Sequence, residues 1–131
     1  MKKILFFIAV MLLSHSAFAQ TALDAALNEY SEGGKLTFSA KSGEKIWNQK
    51  NIAEDGTERR CPKCHTEDLT KRGKHARTGK VIEPMAPSVN KERFTKLKKI
   101  KKWIKRNCKW TIGRECTNQE KGDILTYLSQ L

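Results

Sequence analysis

Cys61-Pro62-Lys63-Cys64-His65 is the stretch whose residue types and spacing specify a chemistry by themselves. Two thiols this far apart can each form a thioether with a porphyrin vinyl group. The adjacent histidine is then held beneath the ring as the proximal iron ligand. Two other chemistries use similar residues. A thiol oxidoreductase also carries a Cys-Pro-x-Cys pair, but it needs a strand before the pair and a helix after it, whereas the flanks here read as polar loop. A four-cysteine zinc site would recruit Cys108 and Cys116, yet it leaves His65 without a role. The motif therefore points to one covalent haem c.

With the first pair occupied, Cys108 and Cys116 are expected to bond to each other in an oxidising compartment. They enclose a short loop through Gly113, so the stabilisation should stay under about 3 kcal/mol. Asn107 directly precedes Cys108, and helical spacing puts it in line with Leu97, Ile100 and Ile104 on the apolar face of an otherwise basic segment. An asparagine there either caps a helix C-terminus or meets something inside that needs an amide.

These residues must be positioned by a small frame. Lys2 and Lys3, the apolar run Ile4 to Leu13 and Ala17-Phe18-Ala19 read as a secretory signal cut after Ala19. The apolar run is shorter than the roughly 20 residues that span a bilayer. The reading is therefore a single exported, periplasmic domain over residues 20–131. Without Lys2 and Lys3, 24 of the 26 basic residues remain against 14 acidic ones, a net charge of +10. An exported protein rarely meets nucleic acid, so the charge fits an acidic protein partner or a membrane surface. A chain of this length buries a modest core and gains from a disulfide or a cofactor.

The elements are expected to be helical. Leu23, Ala26, Leu27 and Tyr30 are spaced for a first helix over Thr21 to Tyr30, broken at Gly33 and Gly34. A second follows Ser39 as N-cap, with Gly43 inside it, where a glycine costing about 1 kcal/mol implies close packing on another helix. Asn51 to Asn90 reads as loop. Arg93 to Asn107 reads as a basic helix. A closing helix starts with the capping box Thr117/Glu120 and turns Ile124, Leu125, Leu128 and Leu131 inward. Strand signals are nearly absent, so the expected class is all-α.

Gly43, Ile46-Trp47, the Cys61–His65 motif and a last helix bearing Tyr127 resemble class I cytochromes c, whose helices wrap around one covalently bound haem c. Within that class, "RTGKVIEPMAPS" and "RNCKWTIGRECTNQEKGDILTYL" resemble the SHP family of high-spin, oxygen-binding cytochromes. The resemblance covers Gly43 to Leu128. It implies that Asn107 is the sixth iron ligand, bound through its amide oxygen, and that the electron donor is a dihaem cytochrome c. A neutral amide holds ferric iron better than ferrous, which implies redox-gated binding of O2, NO or CO. The competing reading makes Met85, flanked by Pro84 and Pro87, the permanent sixth ligand of a simple electron carrier. Met85 follows His65 by only a short loop, which favours packing. His75 sits in a basic loop and is expected to be exposed, and Arg77 and Lys80 are candidates to pair with haem propionates. The cations from Lys96 to Lys109, uninterrupted by any acid, would form either a solvated face or the donor's docking site. No acid–base dyad or nucleophile–histidine–acid set is present. Any enzymatic role would be that of a terminal oxidoreductase acting on O2 or NO; otherwise the chain is a non-enzymatic electron carrier.

Overall fold

The structure is a computed structural model that describes residues 21–131. The expected leader, residues 1–19, lies outside the described residues. Helix α1, Ala22–Tyr30, starts at a capping box between Thr21 and Asp24. Helix α2, Ala40–Asn48, begins at Ser39, whose hydroxyl accepts from the Ser42 amide. A four-residue helix α3, Pro62–His65, carries the Cys-x-x-Cys-His motif. Helix α4, Leu97–Thr111, is the basic one, and α5, Asn118–Ser129, closes the chain behind the Thr117/Glu120 capping box.

The frame is the crossing of α2 and α5. Gly43 is buried there, and a Cβ on it would overlap the backbone carbonyl of Asp123. The glycine expected to serve close packing therefore does so, and the partner is the last helix. Asp123 is itself buried, and its carboxylate accepts from the Ser39 amide at 2.7 Å and from the Gln119 side chain at 2.9 Å. A buried carboxylate that would otherwise be costly is satisfied by capping the neighbouring helix. Trp47, Ile124, Leu125 and Leu128 fill the core beside this contact, with Leu131 half-buried at its edge.

Two departures from the sequence reading stand out. The region expected to be loop contains two small antiparallel ladders, β1 Asn51–Ile52 with β2 Glu58–Arg59, and β3 Gly73–Lys74 with β4 Val81–Ile82. Two-residue strands are too short to show alternation, so the fold is mostly helical rather than all-α. The basic helix is also shifted. It starts at Leu97, not Arg93, because Phe94 holds a φ of 59°, outside the right-handed helical region. At the other end it runs on past Asn107 to Thr111, and the Ile112 amide donates to the Cys108 carbonyl. Among the described residues no helix is long and apolar enough to cross a membrane.

Candidate haem site

The attachment turn is built locally. Pro62 occupies the first position of α3, where its missing N–H costs nothing and its fixed φ favours the helix. The amides of Cys64 and His65 both donate to the Cys61 carbonyl. Thr66, at φ 66°, ends the turn. Strand β3 lies against it so closely that a Cβ on Gly73 would overlap the Cys64 carbonyl. The next residues continue this contact, with the Ala76 amide donating to Cys64 Sγ at 3.3 Å.

Neither motif cysteine is in a disulfide. Burial pushes the Cys61 thiol up to about 12, the opposite of the depressed thiol that redox exchange needs. Among the described residues no cluster of three or more His, Cys, Asp or Glu side chains could hold a metal ion, and Cys108 and Cys116 are bonded to each other, with Cα atoms 5.6 Å apart. The thiol-exchange and zinc readings therefore have no support in the geometry.

His65 sits with its ring centroid 5.2 Å from that of Trp47, which in turn lies 6.4 Å from Tyr127 on α5. Burial, reinforced by the nearby positive charge of Arg93, lowers its pKa to about 4. The imidazole is thus neutral, as an iron ligand must be. Its Nδ1 is buried without a hydrogen-bond partner among the described residues. An orphaned buried nitrogen is costly, and a neutral imidazole placed one residue after two unpaired thiols fits haem c. Cys61 and Cys64 would hold the porphyrin edge and His65 the iron.

Of the other candidates, Met85 is half-buried in the core cluster. The amides of Met85 and Ala86 both donate to the Leu69 carbonyl, at 3.0 Å each. Arg93 and Asn90 fix the same loop through the Pro84 carbonyl, at 2.7 and 3.0 Å, and Arg93 also donates to the Glu83 carbonyl. Met85 is therefore tethered to the segment that follows His65 by four residues. His75 is half-buried rather than exposed, because its Nδ1 accepts from the Thr78 amide and its backbone closes the β3–β4 turn. Arg77 and Lys80 are exposed.

Asn107 lies inside α4, one turn before its end, so it does not cap the C-terminus. Its side chain is exposed and borders the buried stripe of Ile100, Ile104, Cys108 and Thr111 instead of continuing it. The end of α4 is nonetheless tied to the attachment turn. Arg59 Nη1 donates to the Trp110 carbonyl at 3.0 Å, its guanidinium lies 5.0 Å from the Trp110 ring centroid, and Thr111 is buried near Cys61. Sequence reasoning missed Arg59, Thr111 and Gly73. The sole signal was the proximity of Arg59 to Cys61 along the chain.

A mostly helical frame with a glycine-mediated crossing, placed over a Cys-x-x-Cys-His turn, defines a monohaem c-type cytochrome. Comparison with known proteins agrees. The chain is 48% identical over 69 residues to the cytochrome c-type protein SHP of Cereibacter sphaeroides, a match covering 53% of each. It is 36% identical over 90 residues to cytochrome c″ of Methylophilus methylotrophus, covering 69% of this chain and 62% of that one. These matches span about half, and a little under two thirds, of the curated relatives' lengths. The structure superposes on oxidised SHP, described as an oxygen-binding cytochrome c, with a TM-score of 0.75 and 33% identity, covering 86% of this chain and 100% of the other. Residues 33–128 match the family described as a domain of unknown function, DUF1924. The chain belongs to that family; it is an SHP-type cytochrome c whose cofactor is haem c.

Proposed function

We propose that this chain is an exported, periplasmic electron-transfer cytochrome in which Asn107 is a displaceable distal ligand, giving redox-gated binding of O2, NO or CO. Cys61 and Cys64 carry the thioether bonds and His65 is the proximal ligand. When bound, haem c would supply a redox-active iron. The observation that carries the Asn107 reading is the tie between the end of α4 and the attachment turn. Through Arg59 and Thr111 the last turn of α4 stands beside Cys61, and Asn107 is one helical turn away. The Cys108–Cys116 disulfide pins that turn from the other side. Asn107, a neutral amide, would hold ferric iron more firmly than ferrous iron. Met85, by contrast, is bound through its backbone to the His65 side of the chain and packs in the core, which argues against its being the distal ligand.

The donor in this reading is a dihaem cytochrome c that docks on the basic helix. Lys101 pairs with Glu29 and Lys105 with Glu115. Lys98, Lys99, Lys102, Arg106 and Lys109 have no ion-pair partner among the described residues and stay available to an acidic surface. The alternative is a plain carrier with Met85 as permanent ligand. Absorption spectra separate the two. The expected ferric protein lacks the far-red band of methionine ligation, and the ferrous protein is high-spin and binds CO. A low-spin ferrous protein inert to CO, made reactive by Met85→Leu, would establish the carrier instead.

A further inference from the structure

Helix α4 carries two stripes. Ile100, Ile104, Cys108 and Thr111 form the buried one. Beside it, at i, i+4 and i+7, stand Trp103, Asn107 and Trp110, and the polypeptide leaves this second stripe largely uncovered. Trp103 is 49% exposed, Asn107 is exposed and Trp110 is half-buried. A single exposed tryptophan is ordinary surface. Two indoles bracketing one amide, a turn above and a turn below, are not. Residues at i and i+4 are surface neighbours, and helical side chains lean towards the N-terminus. The Asn107 amide therefore lies over the turn of Trp103, and Trp110 leans towards Asn107 from the other end.

The two indoles are held differently. Arg59, two residues before Cys61, donates to the Trp110 backbone and stacks on its ring, so Trp110 is fixed to the attachment turn. Trp103 is held by its own helix neighbours, with Lys102 Nζ at 5.7 Å and the Arg106 guanidinium at 5.1 Å from its ring centroid. Such cation–ring contacts are weak at exposed positions. One indole is tied to the attachment turn and the other only to its own helix.

We propose that Trp103 and Trp110 wall the distal position that Asn107 serves: Trp110 positions the Asn107 amide, and Trp103 sets the size and entry rate of the ligand that replaces it. This rests on the reading of Asn107 as a displaceable ligand. On this proposal the two indoles would admit a diatomic molecule and obstruct a larger donor such as imidazole. Trp103 is then the specificity-determining residue and Trp110 a positioning one.

The test uses the haem-loaded protein with CO and imidazole as probes. Trp103→Ala should raise the CO association rate about tenfold or more, shift the stretching frequency of bound CO and admit imidazole to the ferric protein, with Trp103→Phe intermediate. Trp103 is half exposed, so both variants should fold. Trp110→Phe should change the ferric spin state, the signature of a displaced Asn107 amide, and an unchanged ferric spectrum would remove Trp110 from the positioning role. A Trp103→Ala protein with the wild-type CO rate and CO stretch would make Trp103 mere surface and overturn the proposal. Failure of the underlying Asn107 reading looks different: wild-type ferrous protein would then refuse CO, and the proposal falls with it.

Discussion

The α2–α5 crossing and the end of α4 are both places where distant parts of the chain meet, and they are built on opposite plans. At the crossing, backbone touches backbone. Gly43 lies on Asp123, the Asp123 carboxylate caps α2, and a capping box starts α5. At the end of α4, contact is made by side chains reaching out. Arg59 crosses 51 residues of sequence to the Trp110 carbonyl and stacks on its ring, and one disulfide closes the turn. Helix α4 even begins without a side-chain cap at Lys96. Backbone contact of the first kind resists any change. Side-chain tethers of the second kind fix one turn while leaving its outward residues, Asn107 among them, exposed. The crossing is the frame, and the end of α4 is attached to it through side chains.

The largest effect should come from striking the frame. Gly43→Val forces a branched side chain into the Asp123 carbonyl, and overpacking of this kind costs about 3 kcal/mol. Chemical denaturation of the haem-loaded variant measures it. The haem should stay covalently attached in what does fold, shown by haem staining after a denaturing gel. A variant as stable as wild type would mean the crossing is looser than described.

Removing the tether should cost less and change more chemistry. Cys108→Ser with Cys116→Ser opens a loop of eight residues' separation, which is worth under about 3 kcal/mol. Its signature should be spectroscopic. Freed from the disulfide, the turn carrying Asn107 should give a mixed ferric spin state where the wild type shows one. If stability falls but the ferric spectrum is untouched, the tether belongs to the frame and the contrast between the two regions disappears.

How far the sequence revealed each region follows from the same contrast. The frame was legible because its devices are local or periodic. Ser39, the Thr117/Glu120 pair and Gly43 within an amphipathic run announce caps and a close crossing without knowledge of the partner. The attachment turn was legible for the same reason, since Cys61, Cys64 and His65 are adjacent. What could not be read was everything set by tertiary reach. Arg59 gives no sign that it will stack on Trp110, and the tether from Leu69 to Met85 depends on how the intervening hairpin folds back. The bounds of α4 were misplaced because apolar spacing continues through Phe94 while its backbone does not.

The exposed cations test the outward side of α4. Lys98→Glu with Lys102→Glu reverses two charges that have no ion-pair partner among the described residues, whereas Lys101 is already paired with Glu29. The bimolecular electron-transfer rate with an acidic donor should fall about tenfold at low salt and converge with wild type as salt screens the encounter. Stopped-flow kinetics against ionic strength check this. Equal rates for both proteins at low salt would make the face merely solvated.

The smallest effect returns to the frame and concerns the start of α5. Arg114 forms a two-pronged pair with Glu120, at 2.8 Å for each contact, and the Thr117 amide donates to the same carboxylate at 2.8 Å. Arg114 above all, with the Thr117 contact behind it, holds the Glu120 carboxyl down to about 2. The folded value lies below the ordinary 4.5, so protonation is resisted by the fold. The stability this group adds is therefore complete above about pH 4.5 and drains away as pH falls towards 2. Because Arg114 is half exposed, water and salt screen the pair, and the change should be a modest one. Glu120→Gln keeps an acceptor for the Thr117 amide but cannot titrate. Denaturation midpoints of wild type and variant should differ at pH 5 and converge by pH 2. A constant gap across that window would place the stabilisation in the hydrogen bonds of the cap, with the charge of Glu120 adding nothing.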